Sequence, residues 1–192
     1  MLIARLKSFY IPLIIFSLII GCTNYNPKPR GYFRIDFPAK SYQLFDKTCP
    51  FSFEYPSYGK VVNDSDKNAE PCWMNIEFKD FKGKIHLSYK PVHQNISKFT
   101  EDAHTLAYKH SIKADAIEES AIEDNQRKVY GLIYEIKGNA ASSIQFYVTD
   151  SVKNFLRGSL YFEAEPNKDS LAPSIDFFRK DILHLIETVK WK

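Results

Sequence analysis

Apolar residues recur along the chain with two different periods, and this pattern constrains the fold more than any other feature. From Cys72 to Phe78 every second residue is apolar, which is typical of a strand with one buried face. Over Ser97–His110 and Pro173–Val189 the apolar residues return every three or four positions, as on the buried side of a helix. Pro173 is predicted to lie in the first turn of the second helix, where proline is well tolerated.

Strand patterns account for most of the remaining sequence, with a polar loop predicted over Asn63–Glu70. The predicted strands are Tyr32–Phe37, Ser41–Phe45, Phe51–Tyr55, Gly59–Val62, Cys72–Phe78, Ile85–Lys90, Ala116–Ile122, Arg127–Lys137, Ser142–Thr149 and Phe155–Glu163. Strands precede the first helix and four more separate it from the second. This order predicts an α+β domain, an antiparallel β-sheet with flanking helices. The layout resembles the Mog1/PsbP-like sandwich, a likeness that implies a fold but no function.

The N-terminal segment has the layout of a lipoprotein signal peptide. Arg5 and Lys7 precede an apolar run that ends at Gly21 and Cys22. The run is about a dozen residues long, which is short for a membrane-spanning helix that needs roughly 20. Positive residues, an apolar run, a small residue and then cysteine predict cleavage of residues 1–21 and attachment of lipid, palmitate included, to Cys22. The alternative is an uncleaved membrane anchor.

Residues 22–30 are predicted to form the lipidated cysteine and an extended tether. This segment contains two prolines and two asparagines, which oppose both helix and strand. Its extended length is about 25 Å at about 3.1 Å per residue. Residues 31–192 are then predicted to be a single domain held near a membrane, because two or more acyl chains anchor a protein stably.

The charge balance argues against a nucleic-acid-binding protein. The 192 residues carry 26 Lys and Arg against 23 Asp and Glu, a net charge of +3. Loss of residues 1–21 removes Arg5 and Lys7 and lowers the net charge of the remaining 171 residues to +1. Nucleic-acid binding needs a clustered basic face, and the sequence has no such cluster.

The three cysteines of the chain have different predicted roles. Lipid on Cys22 leaves Cys49 and Cys72, which an exported protein exposes to an oxidising compartment. We therefore predict one disulfide between these two residues. The alternative is a pair of buried free thiols.

No sequence motif indicates catalysis, a metal site or a cofactor. The five histidines, which include no HExxH pair, are His86, His93, His104, His110 and His184. The chain has no GxSxG motif and no Walker or dinucleotide-binding glycine pattern. The sequence therefore predicts a protein without enzymatic activity.

One face of a predicted hairpin, Ser142–Thr149 with Phe155–Glu163, is the candidate protein-binding surface. If Ile144, Phe146 and Val148 pack inward, the alternate residues of both strands point outward. The outward residues are Gln145, Tyr147, Thr149, Arg157, Ser159 and Tyr161. Tyrosine and arginine are enriched at binding hot spots. The alternative is a polar sheet face that is merely wet or covered by a helix.

Several stretches resemble the gliding-motility lipoprotein GldD family of Bacteroidota. They include PRGYFRIDFP from Pro29, CPFSFEYP from Cys49, Cys72-Trp73, KIHLSY from Lys84, EDAHT from Glu101, Lys109-His110, Gly138–Phe162, PNKDSLAP from Pro166 and TVKW from Thr188. The likeness spans nearly the whole chain after Cys22, in order. It implies a role in gliding motility and in the associated type IX secretion system, through contacts with other envelope proteins rather than through catalysis.

The resemblance implies a lipid-anchored protein of the cell envelope, facing the periplasm, on either the inner or the outer membrane. The second hypothesis is a periplasmic lipoprotein that binds a small ligand or lipid within the sandwich, and the third is a lipid-anchored hydrolase. Asp150-Ser151-Val152 and Asp169-Ser170-Leu171 also resemble the short O-glycosylation pattern of this phylum.

Overall fold

Ten strands, two α-helices and one short 3-10 helix, Lys79–Phe81, make up the part of the chain that the computed structural model describes, residues 35–192. The strands are β1 Tyr42–Phe45, β2 Phe51–Pro56, β3 Lys60–Asn63, β4 Met74–Phe78, β5 Gly83–Pro91, β6 Ala114–Asp124, β7 Val129–Gly138, β8 Ser142–Thr149, β9 Asn154–Phe162 and β10 Lys190–Trp191. The helices are α1 Ile96–Tyr108 and α2 Lys168–Thr188. The α+β class predicted from the sequence is therefore confirmed.

The strands form two antiparallel sheets. The larger sheet has seven strands in the order β3-β4-β5-β9-β8-β7-β6, and the smaller has the order β1-β2-β10. The central strands β5, β9 and β8 pair over most of their lengths. The chain crosses from β5 to the edge strand β6 through α1, which packs on β8 and β9.

The first core lies between the large sheet, α2 and the small sheet. The alternating apolar residues of β4, β5, β8 and β9 all face it, as the strand patterns predicted. Phe178 of α2 packs against Phe78 of β4 with the ring centroids 4.4 Å apart and the rings tilted by 35°. Phe51 and Phe53 of the small sheet are completely buried against the same core.

The second core is smaller and lies between the opposite face of the large sheet and α1. Ala103 and Ala107 of α1 are buried there with Tyr134 of β7, Tyr147 of β8 and Phe155 of β9. The two alanines place little side-chain volume between the helix and the sheet, so the helix backbone approaches closely. Residues 35–192 all lie in one compact unit, and the boundary predicted at residue 31 stays a prediction.

Most predicted elements have bounds within two residues of those in the structure, and two elements differ more. Within Tyr32–Phe37, residues 32–34 lie outside the described residues, and residues 35–37 are not a strand. Phe37 instead stacks on Phe177 of α2, with ring centroids 4.3 Å apart, and Pro38 has no N–H for a ladder.

The second helix begins five residues before the predicted start at Pro173. The side chain of Asn167 accepts a hydrogen bond from the Ser170 amide and caps the helix at Lys168. Pro173 therefore lies inside α2 rather than at its entry. The polar sequence of this first turn hid the helix, because it contributes little to the buried stripe that periodicity detects.

A buried carboxylate joins the start of the described chain to the middle of α2. Asp181 has no exposed surface, and its Oδ2 lies 2.7 Å from Lys40 Nζ. The hydroxyls of Tyr42 and Tyr58 also donate hydrogen bonds to Asp181. Burial and the Asp181 charge raise the pKa of Tyr42 to about 12, and they also raise the pKa of Tyr58. These contacts hold the segment before β2 against α2.

Candidate functional site: a basic cleft between the first helix and the sheet

The hairpin face that the sequence predicted to be exposed is largely buried. Gln145, Tyr147, Thr149 and Ser159 have at most 9% of their surface exposed, while Arg157 and Tyr161 are half-buried. The division into two faces was right, because Ile144, Phe146 and Val148 do face the first core. The alternative, a polar face covered by a helix, is the arrangement in the structure.

The cover is α1, which packs on β8 and β9. Phe99 of α1 contacts Phe155 with ring centroids 5.4 Å apart, and Phe155 stacks on Tyr147 at 5.3 Å. Burial of these aromatic surfaces favours the docked helix. Because α1 covers this face, we do not propose Gln145, Tyr147, Thr149 and Ser159 as residues that contact a protein partner.

A row of polar side chains crosses four neighbouring strands on the covered face. Asn75 of β4 lies opposite His86 of β5, His86 opposite Ser159 of β9, and Ser159 opposite Gln145 of β8. His86 Nδ1 and Asn75 Oδ1 are 3.0 Å apart. Burial lowers the pKa of His86 from 6.5, and the attraction of Asp64 only partly offsets this effect. His86 is therefore mainly neutral at pH 7.

Two atoms of this row have no hydrogen-bond partner within residues 35–192. They are Gln145 Nε2 and Ser159 Oγ, both buried. A buried polar atom without a partner costs about 1–3 kcal/mol, and such atoms are few in folded proteins. Their location beside Arg157 marks this part of the sheet as the least satisfied polar region of the described core.

Within residues 35–192, the partners of Arg157 on the covered face are neutral. Its guanidinium donates a hydrogen bond to Gln145 Oε1 and interacts with the Tyr161 hydroxyl. Burial lowers the pKa of Arg157, and Tyr161 opposes this shift. In the described part of the chain, no carboxylate lies within ion-pair distance of this guanidinium.

Arg157 lies on the wall of a cleft of about 440 Å³ between α1 and the sheet, which we call the Arg157 cleft. This volume lies within the range of pockets that hold small molecules. The sheet side of the cleft is formed by His86, Ser88, Lys90, Phe155 and Arg157, with Trp73 beside them. The α1 side is formed by Phe99, Asp102, Ala103, Thr105, Leu106 and Lys109.

Positive charge is in excess around the Arg157 cleft. Arg157, Lys90 and Lys109 line it against one carboxylate, Asp102. Lys90 also forms an ion pair with Glu70. The electrostatic field of the lining residues therefore favours an anion, while the aromatic residues supply apolar surface.

A disulfide supports one wall of the Arg157 cleft. The structure joins Cys49 and Cys72, with Cα atoms 5.8 Å apart. The next residue is Trp73, whose indole Nε1 donates a hydrogen bond to the Tyr89 carbonyl at 2.9 Å. The Lys90 ammonium lies 5.3 Å from the centre of the Trp73 ring. The disulfide thus fixes the backbone next to the main aromatic residue of the wall.

Sequence reasoning identified Arg157 but missed the residues that surround it. Trp73, Lys90 and Phe99 come from three separate segments, and no sequence spacing brings them together. One signal was available, since Tyr147 and Phe155 place large aromatic side chains on the supposedly exposed face. Such a pair favours a covered face over a wet one.

The remaining predictions about sites concern metal ligands, glycosylation and the lipid anchor. Within residues 35–192, no group of three or more His, Cys, Asp or Glu side chains is arranged to hold a metal ion. Ser151 in the β8–β9 turn and Ser170 at the start of α2 are both exposed, so their glycosylation stays a prediction. Cys22, the signal segment 1–21 and the tether 22–30 lie outside the described residues. No helix in the described part is long and apolar enough to cross a membrane.

Comparisons with known proteins agree on the fold and identify a family. The fold is similar to that of cyanobacterial PsbP (CyanoP) from Synechocystis sp. PCC 6803, whose solution structure aligns with a TM-score of 0.53. That alignment has 13% sequence identity and covers 81% of this chain and 95% of that one. The predicted Mog1/PsbP-like sandwich is therefore confirmed. A search of curated proteins gives no match.

The sequence profile described as gliding motility lipoprotein GldD matches residues 22–191. This match covers the lipidation candidate Cys22, both remaining cysteines and every strand and helix described above. The chain therefore belongs to the family of the gliding motility lipoprotein GldD.

Proposed function

We propose that this protein is a non-enzymatic, lipid-anchored component of the gliding machinery and of the associated type IX secretion system. The observation that carries the proposal is the family match over residues 22–191. The match begins at the cysteine that the signal pattern marks for lipidation. The protein acts through contacts with other envelope proteins, as a structural or assembly component.

The proposed membrane anchor consists of the lipid on Cys22 and the tether 22–30. Cleavage before Cys22 and acylation of its thiol would hold the domain on an envelope membrane by the tether 22–30, facing the periplasm. Substitution Cys22→Ser should move the protein from the membrane fraction to the soluble fraction and abolish labelling with palmitate. Continued membrane association and labelling of the variant would contradict lipidation at this cysteine.

The surface that we propose for protein contacts is at the end of α1. Ile112 is 93% exposed, the largest exposure among the bulky apolar residues of the described chain. It borders a shallow groove of about 210 Å³ whose apolar lining includes Ala140, Ala141 and Pro166. An apolar side chain beside an apolar groove suits a protein partner. We call this region the Ile112 surface.

The test is a pulldown from native membranes with the lipid on Cys22 intact. Wild-type protein should recover other motility or secretion components, and Ile112→Asp should recover fewer of them and reduce spreading of the cells. Val152→Asp is the matched control, because Val152 is also a strongly exposed apolar residue but lies in the β8–β9 turn. Recovery of no motility or secretion component by the wild type would overturn the leading proposal.

The Arg157 cleft favours a second candidate function, the binding of a small ligand by the lipoprotein. Leu106 lines the cleft and is 37% exposed, so Leu106→Trp should fill the space without disturbing the first core. If ligand binding is required, this variant should accumulate normally in the envelope but fail to support motility. Normal motility of Leu106→Trp cells would contradict a required ligand.

A further inference from the structure

We propose that the Arg157 cleft binds a small organic anion, whose carboxylate or phosphate group pairs with Arg157 and whose apolar part lies against Trp73 and Phe99. This inference deepens the second candidate function and rests on it. It adds the chemical class of the ligand and the residue that selects it.

The charge of Arg157 is the first argument. A guanidinium taken out of water is costly unless a charged or strongly polar group compensates it. The described partners of Arg157 are the neutral side chains of Gln145 and Tyr161. Lys40 and Arg127, which are also half-buried, are paired with Asp181 and Asp124. An anion in the cleft would give Arg157 the pairing that these residues have.

The geometry of the guanidinium suits this role. Arginine presents its donors in a planar fork that matches the two oxygens of a carboxylate or phosphate. One of these donors forms a hydrogen bond with Gln145 Oε1, and the Arg157 side chain lies on the wall of the cleft. Gln145 thus fixes the position of the guanidinium through this hydrogen bond and acts as a positioning residue.

The polar side chains next to Arg157 explain why the folded chain does not compensate its charge. Gln145 Nε2 and Ser159 Oγ are buried and without partners in the described chain. Ser159 faces Gln145 across the β8–β9 pair and His86 across the β5–β9 pair. Neither Gln145 nor Ser159 lines the cleft, so Arg157 is the residue of this group that a ligand in the cleft contacts.

The remaining lining residues limit the rest of the ligand. Trp73, Phe99, Leu106 and Phe155 give the cleft a mostly apolar wall, so the ligand carries an apolar portion besides its anionic group. The volume of about 440 Å³ is that of a small-molecule site. Lys109 at the lining adds positive charge that attracts the anion. Asp102 opposes this attraction in part, and Glu70 pairs with the third lining cation, Lys90.

Trp73 provides a direct readout of binding. The chain has two tryptophans, so Trp191→Phe leaves Trp73 as the sole indole in the full-length protein. The lipidated protein in an uncharged detergent would be titrated with hexanoate, hexyl phosphate, inorganic phosphate and hexyltrimethylammonium. We expect saturable changes in Trp73 fluorescence with hexanoate or hexyl phosphate, at least tenfold weaker binding of inorganic phosphate and no saturable change with the cation.

Three variants, all in the Trp191→Phe background, locate the site. Arg157→Met should weaken binding of the preferred anion at least tenfold by removing the charged fork, and Leu106→Trp should weaken it by a similar factor through occupation of the cleft. Arg179→Gln is the matched control, because Arg179 is paired with Glu135 instead of facing the cleft. Its affinity should be that of the parent protein.

The outcomes separate the inference from the function on which it rests. Equal affinity for hexanoate and hexyltrimethylammonium, or an unchanged affinity in Arg157→Met, would overturn the anion inference. If Leu106→Trp still lost the ligand in that case, the second candidate function would survive. Equal affinity for inorganic phosphate and hexyl phosphate would overturn the inference that the ligand has an apolar portion. The tighter of hexanoate and hexyl phosphate assigns the head group as carboxylate or phosphate, and the absence of saturable binding by either overturns the whole inference.

Discussion

Arg157 donates a hydrogen bond to Gln145 across the β8–β9 pair, on the sheet face that α1 covers. This pairing places a charge beside an amide whose own nitrogen has no partner in the described chain. Replacement of buried charged groups by apolar side chains of similar size is often stabilising. Replacement of both Arg157 and Gln145 should therefore change the free energy of unfolding measurably.

The double variant Arg157→Met/Gln145→Leu should raise the free energy of unfolding by about 1–2 kcal/mol, because it removes a half-buried charge and an unsatisfied amide together. Urea denaturation at pH 7 measures the change. Arg157→Met alone is the comparison, and its gain should be smaller because Gln145 Oε1 loses its donor. A double variant less stable than the wild type would show that the charge is compensated within the folded chain.

The Cys49–Cys72 disulfide should stabilise the domain by restricting the unfolded chain. Its residues are 23 apart in sequence, which corresponds to about 3 kcal/mol in the chain-entropy estimate. The variant Cys49→Ala/Cys72→Ala should lose about this amount in thermal or urea unfolding. Addition of a reductant should destabilise the wild type and leave the double variant unchanged. Two alkylatable thiols in the unreduced mature protein would refute the bond.

Lys40→Met should lower the free energy of unfolding by about 2 kcal/mol. Loss of one partner of a buried ion pair costs about 3–5 kcal/mol, and we expect less because Lys40 is 26% exposed and two tyrosine hydroxyls still bind Asp181. Tyr58→Phe, which removes one hydrogen bond, should cost about 1 kcal/mol. The double variant tests whether the two contacts are coupled. A Lys40→Met variant as stable as the wild type would show that the tyrosines alone satisfy Asp181.

Glu135 should make the stability depend on pH in the acid range. The hydrogen bond that Arg179 donates to the Glu135 carboxylate lowers the pKa of Glu135 from its ordinary value of 4.5. A carboxyl with a lowered pKa in the folded state contributes stability above the unfolded value, and this contribution is lost as the pH falls through the folded value. Arg179→Gln should therefore cost up to about 1 kcal/mol at pH 7, since Arg179 is partly exposed.

The difference between Arg179→Gln and the wild type should shrink as the pH drops below 4.5, because protonated Glu135 no longer attracts Arg179. Urea unfolding at a series of pH values measures it. Lys98→Gln serves as a control, since Lys98 is an exposed helix residue. A difference that stays constant from pH 7 to pH 3 would exclude Glu135 as its origin.

The sequence predicted the strands well because each buried face repeats every second residue, and Ile144, Phe146 and Val148 show this directly. It could not show what covers the other face, since alternation tells which residues share a side but not what packs there. The apolar periodicity predicted α1, but it could not show that Phe99, Ala103 and Ala107 pack on this face of the sheet. The cleft beside α1 depends on contacts between distant segments.

The contact between Lys40 and Asp181 shows the same limit, because 141 residues separate the two. Nothing in the local sequence around Lys40 predicts a buried partner. Likewise, Arg157 was identified as a site residue by its type and face, but its neutral partners became visible only when β5, β8 and β9 were in register.

The attachment of Lys40 and Tyr42 to Asp181 also has a mechanical consequence. In a protein anchored by Cys22, any tension between the membrane and the domain enters the folded part through the segment that precedes β2. If the four-residue strand β1 alone carried this tension, its hydrogen bonds to β2 would break one after another. Lys40 and Tyr42 bind Asp181 in the interior of α2. The pulling force is therefore transmitted to a helix that packs across the first core, and the whole domain opposes unfolding under this force.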